Sequence, residues 1–139
     1  MKKALPALMY FLLILVSCKD DEVNILTIED IEGTWSCSEL LQAQCILPEN
    51  NGTQSCSDLL VLNSDASCMY LGSQGTFTLA NNQVTFILDL SGVPSGIDDQ
   101  TVGMLELAPF NVSLNNNVLS LAGTTRNSDD CFATASYTR

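Results

Sequence analysis

From residue 33 to the C-terminal residue the apolar positions of this chain fall in short runs, and turn-forming clusters separate them. The clusters are Pro48–Gly52, Asn63–Asp65, Gly72–Gly75, Ala80–Asn82, Ser91–Asp99, Asn115–Asn117 and Asn127–Asp130. Asn, Asp, Gly and Pro supply the dihedral angles that tight turns need, and their recurrence every ten residues or so is the punctuation of an antiparallel all-β domain. Within the runs, polar and apolar residues alternate. Alternation is clearest over 84–90, where Val84, Phe86, Leu88 and Leu90 share one face, and over Cys131–Tyr137. No window long enough for a core helix shows a period of 3.6; Ile25–Ile31 is expected to form one short helical turn ahead of the sheet.

The runs place strands near 33–43, 57–63, 67–72, 75–80, 83–90, 101–114, 117–124 and 131–138, eight in all. In the sixth, the apolar face passes from Leu105 and Leu107 to Phe110, Val112 and Leu114 across Ala108-Pro109. This one-residue change of face fits a bulge, a place where Pro is tolerated. Eight sequential antiparallel strands with short turns can close into an up-and-down barrel, which removes exposed edges; a β-sandwich is the alternative. A membrane-spanning barrel is disfavoured, because its strands need about 9–11 residues and two aromatic girdles. The aromatics beyond residue 18 are only Trp35, Tyr70, Phe77, Phe86, Phe110, Phe132 and Tyr137.

Residues 1–18 read as an export signal. Lys2 and Lys3 precede an apolar stretch from Ala4 to Val16, too short for the roughly 20 residues that span a bilayer. Leu15-Val16-Ser17-Cys18 resembles the lipobox of bacterial lipoproteins, which implies cleavage before Cys18 and acylation of that cysteine. The partner so implied is the lipid bilayer, and the location is the outer membrane. Lys19-Asp20-Asp21-Glu22 is similar to the short tag with which some gram-negative bacteria send lipoproteins to the outer cell surface; a solvated acidic linker accounts for the same residues equally well. Residues 19–27 are therefore expected to form an acidic tether, and 28–139 the folded domain.

Charge narrows the function classes. Beyond residue 18 only Lys19, Arg126 and Arg139 stand against all 16 acids, a net charge of −13. Nucleic acid is excluded as a partner, since phosphate contacts need clustered Lys and Arg. Such a surface is repelled by anionic lipid, so attachment rests on acyl chains, more than one of which is needed for lasting anchorage. The chain contains no His, which removes the commonest general base and metal ligand.

Ile31-Glu32-Gly33-Thr34-Trp35 resembles the Gly-x-Trp signature that opens the first strand of lipocalins and of the shorter bacterial lipocalin-like lipoproteins. Gly75–Leu79 with Asn82–Phe86 resembles their central hairpin, and Phe110–Gly123 with Tyr137-Thr138-Arg139 resembles their last strands. The resemblance spans about residues 28–139 and implies that Trp35 closes the barrel floor and that Arg139 stacks on its indole, with Gly33 beside them. The extra cysteines and the Ser91–Asp99 loop depart from the pattern, so the ligand habits of lipocalins do not carry over.

No catalytic site, cofactor or metal site is expected. Asp98-Asp99 and Asp129-Asp130 lack the alternating spacing of a Ca²⁺ loop, and Glu39 with Glu106 lacks any spacing that makes a carboxylate dyad. A Ser or Cys nucleophile would find no base. Two functions remain for what is read as a monomer: binding a small apolar ligand inside the barrel, or engaging another surface protein, for example as a hydrolase inhibitor, with the barrel filled. For the first, the inward positions Leu60, Leu62, Phe77, Phe86, Leu88, Val112, Leu119, Ala133 and Ala135 are the candidate cavity lining, the cavity being small and open opposite the Trp35 floor. With Cys18 acylated, Cys37, Cys45, Cys56, Cys68 and Cys131 allow at most two bridges in an oxidising compartment. Cys45 and Cys56 bracket the first loop and are the expected pair, Cys131 being the competing partner for Cys45.

Overall fold

The computed structural model describes residues 24–91 and 103–139. Residues 1–18, read above as an export signal ending at Cys18, residues 19–23 and residues 92–102, which include most of the Ser91–Asp99 loop, lie outside the described residues. The chain runs through a helical turn α1 (Ile28–Ile31) and strands β1 (Gly33–Ala43), β2 (Gly52–Gln54), β3 (Leu59–Leu62), β4 (Ser67–Tyr70), β5 (Ser73–Ala80), β6 (Gln83–Asp89), β7 (Met104–Glu106), β8 (Phe110–Asn115), β9 (Val118–Gly123) and β10 (Phe132–Thr138). These ten segments make the eight strands of a closed antiparallel barrel of lipocalin-like form. β2 and β3 lie end to end along one edge of β1, and β7 and β8 along one edge of β6. β10 returns to β1, from Ser36 opposite Thr138 to Ala43 opposite Phe132, and closes the wall.

Both interruptions are bulges. On β6, Ile87 faces Glu106 and Val84 faces Phe110, so four steps of the β7–β8 strand match three on its partner, with Leu107-Ala108-Pro109 at the break. The change of apolar face read from the sequence is this insertion. The floor-side hairpins β5–β6 and β8–β9 turn on Asn81-Asn82 and Asn116-Asn117, all four at positive φ. Asn tolerates that conformation, and a pair of such residues matches the twist of the flanking strands.

Inward residues fill the barrel. Trp35, Leu60, Val84, Phe86 and Leu119 have no exposed surface, and Leu62, Phe77, Leu121 and Tyr137 nearly none. Each such side chain contributes about 1.5–3 kcal/mol of burial. Tyr70 stacks on Phe86 with ring centroids 4.5 Å apart, and Phe110 stands edge-on to both. The Tyr70 and Tyr137 hydroxyls interact across the interior, and burial raises both phenols above their ordinary value of 10. Gly75 is required by contact: a Cβ there would lie 2.2 Å from the Ile87 carbonyl oxygen of β6.

The floor is built by the residues before β1. Trp35 donates its indole N–H to the Ile31 carbonyl (2.8 Å), and Ile31 is buried beneath the barrel. The Arg139 guanidinium lies 4.1 Å from the Trp35 ring centroid and donates to the Glu32 and Asp30 carbonyls at 2.7 and 3.2 Å. Gly33, at φ +132°, takes a backbone conformation that favours glycine and runs under Arg139. Asp30 accepts the Thr27 N–H and hydroxyl, which lowers its carboxyl below the usual range. The packed domain begins before residue 28. Leu26 is buried and donates its N–H to Asn82, whose amide in turn donates to the Asn24 carbonyl. Residues 24–27 are thus a strap on the barrel rather than tether.

Two disulfides form, and they correct the expected Cys45–Cys56 pair. Cys37 is bonded to Cys56 and Cys45 to Cys131, with Cα atoms 5.5 and 4.1 Å apart; Cys68 is free and buried. Strand register explains both bridges. β2 turns back along β1 with Leu40 opposite Gln54, which carries Cys56 down to the level of Cys37. Cys45 lies just beyond the end of β1 and Cys131 just before β10, where Ala43 faces Phe132.

Candidate binding site at the barrel mouth

The end opposite Trp35 is the mouth, and four connections lock two of its loops together. The Cys45–Cys131 bridge joins the loop after β1 to the loop before β10. Beside it the Ile46 N–H donates to the Asp130 carbonyl. Arg126 donates to the carbonyls of Gln44 and Asp130 and lies 5.0 Å from the Phe132 ring centroid. Gln42, a buried polar side chain, donates to the Asp129 carboxylate and accepts from Gln54, each at 3.1 Å. The Asp129-Asp130 pair serves this clasp through one carboxylate and one carbonyl.

Between this clasp and the β7–β8 break lies a half-open, mainly apolar pocket of about 220 Å³. Leu107, Ala108 and Phe110 form one side, Gly123 and Ala133 the other, and Thr124 to Asn127 the rim. It is a notch in the wall at the end opposite the Trp35 floor, not the cavity inside the barrel that the sequence pattern predicts. Of the nine candidate lining residues only Ala133 belongs to it. Leu60, Leu62, Phe77, Phe86, Leu88, Val112 and Leu119 are buried in the core, and Ala135 packs against that core. The reason is volume: the Tyr70, Phe86 and Phe110 rings fill the layer immediately below the mouth, so no space continues downward. The sequence pattern puts Leu107 and Phe110 on the apolar face of the sixth strand but does not mark them as pocket walls. The bulge at Ala108-Pro109 was the signal, because a strand break at a barrel rim leaves a notch.

The mouth also carries exposed apolar side chains. Ile46, Leu47, Leu71, Met104 and Leu105 are all exposed there, five of the eight large hydrophobic side chains that the described residues leave in solvent. A second depression, about 340 Å³, lies on the outer wall between β3, β4 and β5, lined by Val61, Asn63, Ser67, Met69 and Gln74. It is broad and of mixed polarity. Among the described residues no group of three Cys, Asp or Glu side chains is placed to hold a metal ion. Glu39 and Glu106 stand on strands separated by β9 and β10 and form no pair. Cys68 is buried, and burial raises its thiol above the ordinary value. No helix among the described residues is long and apolar enough to cross a membrane.

The fold and site define a closed eight-stranded antiparallel barrel, filled in its interior, with a small, mainly apolar pocket and several exposed hydrophobic side chains at one end. Comparison with protein-family models, with curated proteins and with solved structures finds no match.

Proposed function

We propose that this protein is a lipid-anchored, non-catalytic lipoprotein of lipocalin-like type that works with its mouth, as an interaction protein of the outer membrane surface. The observation that carries the reading is the filled interior. With Trp35, Phe86, Leu60 and Leu119 fully buried, contact with a partner falls to the mouth, whose loops and strand ends carry five exposed hydrophobic side chains. Monomeric surfaces seldom keep such clusters without a partner for them. The reading of Cys18 as the acylated residue supports the orientation. Six residue steps separate Cys18 from Asn24, and at about 3.3–3.6 Å per residue they reach at most about 22 Å. Asn24 is bonded to Asn82 on the floor side, so the anchor holds the floor toward the bilayer and the mouth away from it.

Two measurements test this. Mass spectrometry of the mature N-terminus is expected to find an acylated Cys18. A photo-cross-linking residue at Leu47, in cells that display the protein, is expected to give a discrete protein adduct that the same residue at Thr78 does not. An unmodified Cys18 removes the anchor; equal labelling from both positions removes the mouth as the working surface. The apolar lining favours a second reading, in which a small neutral apolar molecule occupies the pocket. Saturable uptake of an environment-sensitive apolar dye, abolished by Ala133→Leu, would support it.

A further inference from the structure

The mouth pocket sits in a gap of the barrel wall. β8 pairs with β9 from Asn115 opposite Val118 up to Phe110 opposite Gly123. Above that level the chain leaves β9 for β1, drawn there by Arg126 on Gln44 and by the Cys45–Cys131 bridge. β7 continues upward without it and pairs with β6 alone. Two hydrogen bonds fix which way its backbone groups face. Leu107 donates to Phe86, and Leu90 donates to Gly103. In an antiparallel ladder such residues alternate, so 103, 105 and 107 turn toward β6 while Met104 and Glu106 turn their N–H and C=O groups to the gap. Among the described residues nothing pairs with them there, and all three β7 side chains are exposed.

We propose that an extended segment of a partner protein adds to this outer edge of β7 and places one apolar side chain in the pocket. The inference rests on the mouth being the working surface and names the kind of partner it takes. Three observations converge on it. An open strand edge is satisfied by another backbone in extended form, and such edges are templates for strand addition. The pocket, at about 220 Å³, is smaller than the roughly 300–1,000 Å³ typical of small-molecule sites, a size that suits one side chain. It lies directly beside the edge, since Leu107 and Ala108, the residues that follow β7, form its wall. Among the described residues the outer edge of β2 is also unpaired, but none of its residues lines the mouth pocket. The charge of the chain sets the flanks: with Glu106, Asp129 and Asp130 nearby and a net charge of −13 beyond residue 18, the segment is neutral or basic, and a second copy of this chain is repelled.

Amide hydrogen exchange on the acylated full-length protein in detergent tests the proposal. The probes are blocked seven-residue peptides of alternating Thr and Val that end in Lys and carry Leu, Phe, Met or Ala at the centre. In the free protein the Met104 and Glu106 amides are expected to exchange rapidly and Leu105 slowly. Saturation with the Leu, Phe or Met peptide is expected to slow Met104 and Glu106 at least tenfold, with the Ala peptide binding at least tenfold more weakly. Glu106→Pro removes an outward N–H at an edge position that tolerates proline, together with the Glu106 carboxylate, and is expected to weaken binding at least tenfold relative to Glu106→Gln, which removes the carboxylate alone. Methylating the backbone nitrogens of the peptide should do the same with the protein unaltered, which covers any failure of the variant to fold. Protection of Met104 and Glu106 in the free protein, absence of binding by every peptide, or binding that leaves these amides fast each overturns strand addition. Retention of the Leu47 cross-link alongside such a result leaves the mouth in place as the working surface, whereas loss of both removes the two together.

Discussion

Replacing Arg139 with Ala tests how the barrel is closed. Three contacts are lost: the guanidinium above Trp35 at 4.1 Å, and the bonds to the Glu32 and Asp30 carbonyls. A cation over an aromatic ring contributes about 0.5–1 kcal/mol at an exposed site. Charge-assisted hydrogen bonds reach about 1.5–3 kcal/mol when buried, but both of these are solvent-exposed, and about 0.5 kcal/mol each is the appropriate scale. The expected loss is therefore about 1–2 kcal/mol, or roughly 4–8 °C in Tm for a domain of this size. Trp35 is the one tryptophan of the chain and is fully buried, so its emission reports the floor directly during urea or thermal unfolding. The Ala variant should also show red-shifted native emission, because the ring face that Arg139 covers becomes wet. Arg139→Lys keeps the charge but loses the planar stack and the fork of donors, and should recover about half the loss. A Tm change below 1 °C for Arg139→Ala, or a Lys variant equal to the parent, would refute the closure argument.

The two bridges should differ in weight. The chain-entropy model assigns about 3 kcal/mol to a loop the size of that closed by Cys37–Cys56 and about 4.6 kcal/mol to one the size of that closed by Cys45–Cys131, so the Cys45→Ala/Cys131→Ala protein should unfold at lower urea than its counterpart, and peptide mapping should recover both bridges. Gly75→Ala should cost at least about 2 kcal/mol by equilibrium denaturation, because backbone rather than a flexible side chain meets the new methyl group. Tyr70 and Tyr137 should resist ionisation in the fold. Their raised folded values mean that the stability they contribute is complete below pH 10 and falls as pH rises above it, which absorbance at 295 nm should show as phenolate appearing only with unfolding.

The strands were legible because the interior of a barrel imposes a period of two on each of them. Val84, Phe86 and Leu88 alternate with Thr85 and Ile87, and the structure buries the first set. Turns were legible for a chemical reason, since Asn81-Asn82 and Asn116-Asn117 accept the positive φ of tight hairpins. β2 was not. Gly52-Thr53-Gln54 has no apolar face, and its strand character comes from backbone pairing to β1 alone. The same omission misled the cysteine pairing, because without β2 the loop after β1 has no register and Cys56 no level. Cys45–Cys131 was within reach of the pattern: once β1 and β10 are paired to the end of their runs, the two cysteines fall side by side.

The pocket was the harder inference, because alternation tells which residues point inward and not how completely they fill the space. Whether an eight-stranded barrel holds a ligand depends on volume at each layer, and here the rings of Tyr70, Phe86 and Phe110 occupy the layer on which a deep pocket would depend. Making room inside would mean displacing side chains whose truncation costs about 3–5 kcal/mol each for aromatics, a penalty that the binding of a small neutral molecule would have to exceed before any affinity appeared. The notch at the mouth carries no such penalty. It exists because Ala108-Pro109 breaks the strand and because Gly123 and Ala133 bring no bulk to the opposite side. The clasp of Arg126, Gln42, Asp129 and the Cys45–Cys131 bridge fixes the wall across from that break. On the proposed reading, a partner would meet pocket walls that are formed before it arrives, which reduces the ordering that usually opposes association.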